Sequence, residues 1–199
     1  MIKVIIFDAD GVIINTEKKF SVLLAEKYGI PLKKTLPFFY GSFQDCLIGK
    51  ADLKETISPY LSVWGWKDGI DALLDIWFQE GHEVNQELIQ YIQDLRQKGI
   101  LCILATDNEK YRFQHMLNDF GFTTSFNKAY SSADVGCKKF NQNFFLKIFY
   151  ELNNIQKNEI LFIDDDIENI QVAEKFCIHT HLYTSLENLK EKLSILSKK

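Results

Sequence analysis

The sequence predicts an α/β fold in which a parallel sheet is covered by helices on both faces, with a helical insert near the amino end. Three observations predict it. From residue 86 onward, short apolar runs alternate with helical patterns, the runs are apolar at successive positions, and the stretch 16–83 shows no convincing strand alternation. Continuous apolar runs are typical of buried strands in parallel sheets. Their alternation with helices indicates βαβ units.

The predicted strands are short runs rich in β-branched and aromatic residues. They cover residues 2–7, 100–105, 160–163 and 177–183, with 129–131 as a shorter fifth candidate. Apolar residues recur at helical spacing in 86–98, 109–120, 141–152, 168–176 and 186–196. Such a stripe is the face that a surface helix buries against a sheet.

The insert interrupts this rhythm directly after the first strand. It contains all three prolines and all three tryptophans, and its helical patterns cover residues 17–28, 45–48, 53–61 and 69–79. The predicted organisation is a core domain formed by 1–15 and 84–199, with a second, helical domain at 16–83. The aromatic residues of 38–43, with Trp64 and Trp66, either pack the insert's own core or face a ligand; packing is the favoured interpretation.

Composition limits the possible partners. The 199 residues are 46% hydrophobic and carry a net charge of −4 with no basic block. A mildly acidic chain of this kind is a poor binder of nucleic acid or anionic membranes. We find no charged leader and no apolar run near the ~20 residues of a membrane span. We therefore expect a cytoplasmic monomer. The only arginines are Arg96 and Arg112, so an arginine clamp for phosphate is not expected.

Polar residues follow the predicted strands where each strand ends. In open parallel sheets, ligands bind at the carboxyl ends of the strands, so these side chains are expected to converge. The residues are Asp8 and Asp10 after the first strand, Thr106, Asp107 and Asn108 after the second, Asp164, Asp165 and Asp166 after the fourth, and Lys138 and Lys139 before the helix at 141.

Each of these groups also has an ordinary explanation. Asp10-Gly11 is a common turn dipeptide, and Asp166 can cap the following helix. Adjacent lysines are usually solvated, which the residues alone favour for Lys138 and Lys139. Capping does not explain the two acids that precede Asp166. A set of carboxylates without His or Cys favours a hard cation, most simply Mg²⁺.

Taken together, the motifs resemble those of the haloacid dehalogenase-like superfamily, in its phosphatase and phosphomutase branch. The first motif is matched by Phe7-Asp8-Ala9-Asp10-Gly11-Val12, and the strand ending in Thr by Leu104-Ala105-Thr106. The lysine motif aligns Lys139 with the family lysine, although Phe140-Asn141-Gln142 replaces the usual Pro-Asp-Pro. The last motif is matched by Phe162-Ile163-Asp164-Asp165.

The resemblance implies a Rossmann-like core, a helical cap and a mechanism. Asp8 would be the nucleophile and Asp10 the general acid and base. Thr106, Lys139 and the backbone of Asp107 would bind phosphoryl oxygens. The implied ligands for Mg²⁺ are Asp8, Asp10 through its backbone carbonyl, Asp165, and Asp164 near or on the metal.

The implied substrate is a small phosphorylated metabolite, such as a sugar phosphate, and the implied reaction is its hydrolysis. Dehalogenases of this superfamily lack an acid at the position of Asp10, because a halide leaves without a proton. Two alternatives stay open at this point. One is a phosphomutase with the same core, and the other is a non-catalytic module that binds phosphate for regulation.

Overall fold

The structure is a computed structural model, which describes residues 1–197. Its centre is a five-stranded parallel sheet with the strand order β5-β4-β1-β6-β7. The strands of this sheet are β1 Val4–Phe7, β4 Leu101–Thr106, β5 Lys128–Ser131, β6 Ile160–Asp164 and β7 His179–Leu182. The predicted parallel sheet is confirmed, including its short fifth strand.

The two faces of the sheet bury separate apolar clusters. In β1, Ile5 and Phe7 join one cluster, whereas Val4 and Ile6 join the other. This division follows from the alternation of side chains along a strand. The first cluster lies under α6 Gln86–Gln97, α7 Lys110–Asn118, α8 Phe122–Ser125 and α12 Leu186–Ser197; the second lies under α10 Gln142–Tyr150 and α11 Ile167–Lys175. Helices therefore cover both faces, as predicted.

Five helices form the insert after the first strand. They pack around a third apolar cluster, in which Phe20 stacks on Trp77 with ring centroids 4.9 Å apart. Phe38 and Trp64 are buried in the same cluster, so the favoured packing interpretation is confirmed for them. The helices of the insert are α1 Phe20–Tyr28, α2 Leu32–Tyr40, α3 Phe43–Leu47, α4 Leu53–Trp64 and α5 Gly69–Gln79.

Both chain connections between the sheet and the insert belong to one small antiparallel sheet. Its strands are β2 Ile14–Thr16 and β3 His82–Val84, and Thr16 pairs with His82. These strands were not predicted, because each has three residues and its partner is 66 residues away in the chain. The backbone therefore enters and leaves the insert through this β2–β3 connection.

Other details also differ from the sequence prediction, among them the short helix α8, which was not predicted. Helix α2 was missed because Pro37 lies inside it, and packing of the buried Phe38 outweighs the lost hydrogen bond. The turn α9 Ser132–Val135 was also missed. The apolar residues around Cys177 in the sequence predict a buried thiol, but Cys177 is exposed, in a left-handed conformation at the end of α11. Within residues 1–197, no helix has the length and apolar character needed to cross a membrane.

Candidate active site

Three neighbouring strands end at one rim of the sheet and place the candidate residues there. Strand β1 lies between β4 and β6, and Asp8 directly follows it. Thr106 is the last residue of β4 and Asp164 the last of β6. All three side chains belong to buried residues. The predicted convergence of polar groups at the strand ends is therefore present.

The carboxylates of Asp8, Asp164 and Asp165 form the metal-competent part of the site. One oxygen from each lies within 4.8 Å of the others. Gly11 makes this arrangement possible, because a Cβ at that position would lie 2.1 Å from Asp165 Oδ2. Its φ of +86° is also one that L side chains rarely adopt. Both Asp164 and Asp165 are thus positioned to serve as ligands.

Lys139 supplies the counter-charge inside this cluster. Its ammonium lies 2.5 Å from Asp8 Oδ1 and 2.8 Å from Asp164 Oδ2, and only 2% of the residue is exposed. Burial alone would lower the pKa of Lys139, but the two carboxylates outweigh this effect and raise it. Lys139 therefore remains charged. Burial raises the pKa of Asp8 well above its ordinary range; Lys139 opposes that shift and Asp164 adds to it.

The structure also separates the two adjacent lysines. Lys138 Nζ donates to Gln44 Oε1 of the insert at 2.5 Å, away from the carboxylate cluster. The backbone N–H of Lys139 donates to Asp107 Oδ1 at 3.0 Å. The Asp107 carboxylate therefore holds the lysine loop, while its backbone remains the part assigned to phosphate binding. The solvated-pair interpretation is wrong for Lys139.

Asp10 has different partners from Asp8. Arg112 Nη2 lies 2.5 Å from Asp10 Oδ1, and Asn108 Nδ2 donates to Asp10 Oδ2 at 2.8 Å. The same Asn108 nitrogen lies 2.7 Å from Thr106 Oγ1. Although burial raises the pKa of Asp10, Arg112 and the Asn108 hydrogen bond outweigh it and lower the pKa overall. Asn108 was expected at this rim without a role of its own, whereas Arg112 was not predicted to belong to the site.

Further hydrogen bonds fix the acids that follow β6. Asp164 Oδ1 accepts the N–H of Asp166 at 2.8 Å, and Asn169 Nδ2 lies 3.2 Å from Asp164 Oδ2. Asp166 caps α11 by accepting the N–H of Glu168 at 2.8 Å, as one interpretation of this residue predicted. Of the three consecutive acids, one therefore has a helix-capping role and two face the site.

The rim brings together a buried carboxylate, a cluster of three carboxylates that could hold a cation, and a buried lysine at the ends of parallel strands. A family model described as haloacid dehalogenase-like hydrolase matches residues 5–183. The chain belongs to this family, as the motifs indicated, and it is an enzyme of the hydrolase class. No curated protein matches the sequence significantly.

Solved structures share the fold at low sequence identity. A predicted HAD-like family hydrolase from Porphyromonas gingivalis matches with a TM-score of 0.82 and 23% identity, covering 100% of this chain and 99% of that one. A HAD family enzyme from Bacteroides thetaiotaomicron, in complex with magnesium and inorganic phosphate, matches at 0.79 and 20%, covering 94% and 96%. L-2-haloacid dehalogenase from Xanthobacter autotrophicus, with chloropropionic acid covalently bound, matches at 0.65 and 17%, covering 98% and 83%.

Proposed function

We infer that this protein is a Mg²⁺-dependent phosphatase that hydrolyses a small phosphorylated metabolite through an aspartyl-phosphate on Asp8. One observation carries the proposal. The buried carboxylate of Asp8 forms a cluster that could hold a cation together with those of Asp164 and Asp165, Lys139 contacts it, and a second acid, Asp10, has its own separate partners. A phosphoryl transfer needs a nucleophile, compensation for anionic charge, and a proton donor for the leaving group.

The residues divide the reaction between them. An Asp8 oxygen forms a bond to phosphorus while the bond from phosphorus to the leaving oxygen breaks, and Asp10 gives that oxygen a proton. Asp10 then takes a proton from water, whose oxygen bonds to phosphorus as the Asp8–phosphorus bond breaks. Lys139 and the hydroxyl of Thr106 bind the phosphoryl oxygens, together with backbone N–H groups at Ala9 and Asp107.

The donor set fits Mg²⁺. It consists of carboxylate oxygens, which are the ligands of hard cations, and three carboxylates face a single lysine. Asp8, Asp164 and Asp165 would hold the ion, with the backbone carbonyl of Asp10. When bound, Mg²⁺ would neutralise charge between the attacking carboxylate and the phosphate. The magnesium and phosphate in the Bacteroides thetaiotaomicron enzyme support this assignment by similarity of fold.

The insert, residues 16–83, is proposed to act as a cap over the rim. It contacts the core through Tyr111 Oη, which donates to Asp52 Oδ2 at 2.7 Å, and through Ser132 Oγ, which donates to the Leu47 carbonyl at 2.5 Å. A cap that admits substrate and excludes water would favour a small metabolite. The cytoplasmic location and the monomeric state stay predictions.

The test is phosphate release from 4-nitrophenyl phosphate and from a panel of phosphorylated metabolites, with Mg²⁺ and with EDTA. We expect turnover that EDTA abolishes, and loss of all measurable turnover in Asp8→Asn, because the acyl phosphate is proposed to form on the Asp8 carboxylate. Lys138→Met is the matched control and keeps its activity. Turnover that survives EDTA contradicts the metal assignment, and unchanged turnover in Asp8→Asn refutes the nucleophile.

The same panel separates the competing chemistries. A sugar phosphate that isomerises without releasing phosphate would replace the phosphatase with a phosphomutase. Halide release from 2-chloropropionate, without hydrolysis of any phosphate ester, would replace it with a dehalogenase. The proton donor at Asp10 argues against the dehalogenase, because halide leaves without one.

A further inference from the structure

Asp107 takes part in the steps above only through its backbone N–H, and its side chain has no role in them. It directly follows Thr106, the last residue of β4, and it is half-buried. Its carboxylate accepts the backbone N–H of Lys139, with Oδ1 at 3.0 Å and Oδ2 at 3.4 Å. A hydrogen bond to an ionised acceptor is stronger than one between neutral groups. Because a carboxylate beside a phosphate site repels the anion, the advantage of an acid here lies in its contact with Lys139.

The loop that carries Lys139, residues 136–141, has few other attachments near the rim. Phe140, the residue after the lysine, is 58% exposed, so its side chain does not anchor the loop in the core. Within residues 1–197, the bond to Asp107 is the only hydrogen bond that joins the backbone of this loop to the ends of β1, β4 and β6. It therefore fixes the main chain from which the lysine side chain extends.

The other end of Lys139 is held by groups that have a second task. Its Nζ contacts the carboxylates of Asp8 and Asp164, and both belong to the cluster of three that could hold a cation. When that cluster holds a cation, these carboxylates are shared between the cation and the ammonium. Asp107 does not belong to the cluster. Its bond to the lysine loop is thus the attachment that does not depend on the cation.

From these contacts we propose that Asp107 is a positioning residue for Lys139: a carboxylate oxygen holds the lysine loop against the end of β4. Lys139 Nζ then reaches the same phosphoryl group as the Thr106 hydroxyl. The role rests on the proposed phosphatase reaction. The two donors come from segments about 30 residues apart, and Asp107 is the chain neighbour of one and the hydrogen-bond partner of the other. The Asp107 carboxylate contacts no reacting atom, but a misplacement of about 1 Å can cost about 10²-fold in rate.

The role is tested by kcat/KM for 4-nitrophenyl phosphate at saturating Mg²⁺. Asp107→Leu removes the acceptor at similar size, and we expect a fall of about 10–10²-fold. Asp107→Asn loses the charge but keeps an acceptor oxygen, so it should lose only a few-fold. Equal losses in the two variants would refute a role for the hydrogen bond. Asp134→Leu is the matched control; it removes a carboxylate of α9 that accepts from Ser131 Oγ at 2.8 Å, and it should keep its activity.

A double-mutant cycle separates this role from that of the Asp107 backbone N–H, which Asp107→Leu could also displace. In the Lys139→Met background the positioned group is gone, so Asp107→Leu should lower the remaining activity by less than about twofold. If the substitution lowers activity by the same factor in both backgrounds, it acts through its own N–H or through the fold, and positioning of Lys139 is refuted.

Hydrogen exchange of the Lys139 amide, followed by mass spectrometry of the loop peptide, tests the contact without any activity. The amide should exchange slowly in the wild type and in Asp107→Asn, and at least about 10-fold faster in Asp107→Leu. Equal exchange in the wild type and a folded Asp107→Leu would overturn the proposal.

Two further outcomes have a defined meaning. If thermal unfolding shows that Asp107→Leu does not fold, Asp107→Ala takes its place in every arm, with the same expected results. If Lys139→Met has no measurable turnover, the exchange rates and the comparison of Asn with Leu at position 107 decide. If the wild-type protein hydrolyses no phosphate ester, the proposed function fails, and positioning for that reaction fails with it even where the exchange rates differ.

Discussion

Replacing Gly11 by Ala tests whether the first motif and the acids after β6 form one site. The Cβ of an alanine there would lie 2.1 Å from Asp165 Oδ2, and to reach even 3.0 Å the carboxylate must move by at least 0.9 Å. Metal ligands tolerate only about 0.2 Å of displacement. The substitution therefore acts on Asp165 without removing any carboxylate.

Gly29→Ala provides the matched control. Gly29 also has a positive φ, +66°, but a Cβ there would meet no atom within 4 Å. Both variants carry the left-handed backbone strain of about 1–2 kcal/mol. At about 2–4 °C per kcal/mol for a protein of this size, each should lower Tm by about 2–8 °C. Only Gly11→Ala should also displace a ligand.

The assay is the Mg²⁺ concentration that gives half-maximal phosphatase activity, supported by the rise in Tm that Mg²⁺ produces. We expect half-saturation to increase by about 10–100-fold in Gly11→Ala, the range seen when the support of a metal ligand is disturbed. It should stay unchanged in Gly29→Ala. Equal Mg²⁺ requirements in the two variants would refute the argument that Gly11 makes room for Asp165.

Two further substitutions test the charges inside the fold. Lys139→Met removes the cation between two buried carboxylates. We therefore expect activity to fall by about 10²–10³-fold and Tm in EDTA to fall as well. Lys138→Met should keep both, and equal effects in the two variants would contradict the assignment. His181 is 8% exposed, and its Nε2 has no partner within residues 1–197. Burial lowers its pKa from 6.5, so the unfolded chain takes up the proton at a higher pH than the folded chain does. The free energy of unfolding therefore decreases as the pH falls below about 6.5. In thermal unfolding, His181→Gln should reduce this loss of stability between pH 7.5 and 5.5. The control is His179→Gln, at an exposed histidine. If the two variants lose stability equally, His181 is not the source of the pH dependence.

The position of the candidate nucleophile can be predicted from local properties of the sequence. Apolar runs predict the strands, and residues that follow parallel strands must meet at one edge, so Asp8, Thr106 and Asp164 could be grouped without coordinates. Their pairing with a cation also follows from the sequence, since like charges that converge need one. These inferences depend on the period of a strand and on chain order, which are local properties.

Tertiary structure decided what depends on contacts between distant segments. Whether Lys138 or Lys139 enters the site depends on which side chain the loop buries, and Asp107 fixes that loop by accepting one backbone N–H. Arg112 is 102 residues from Asp10 and lies in a helix whose periodicity gives no sign of the contact. The sequence determined the reactive groups and the edge at which they gather. Only the folded chain determined their partners, because burial and orientation are set by packing across the whole molecule.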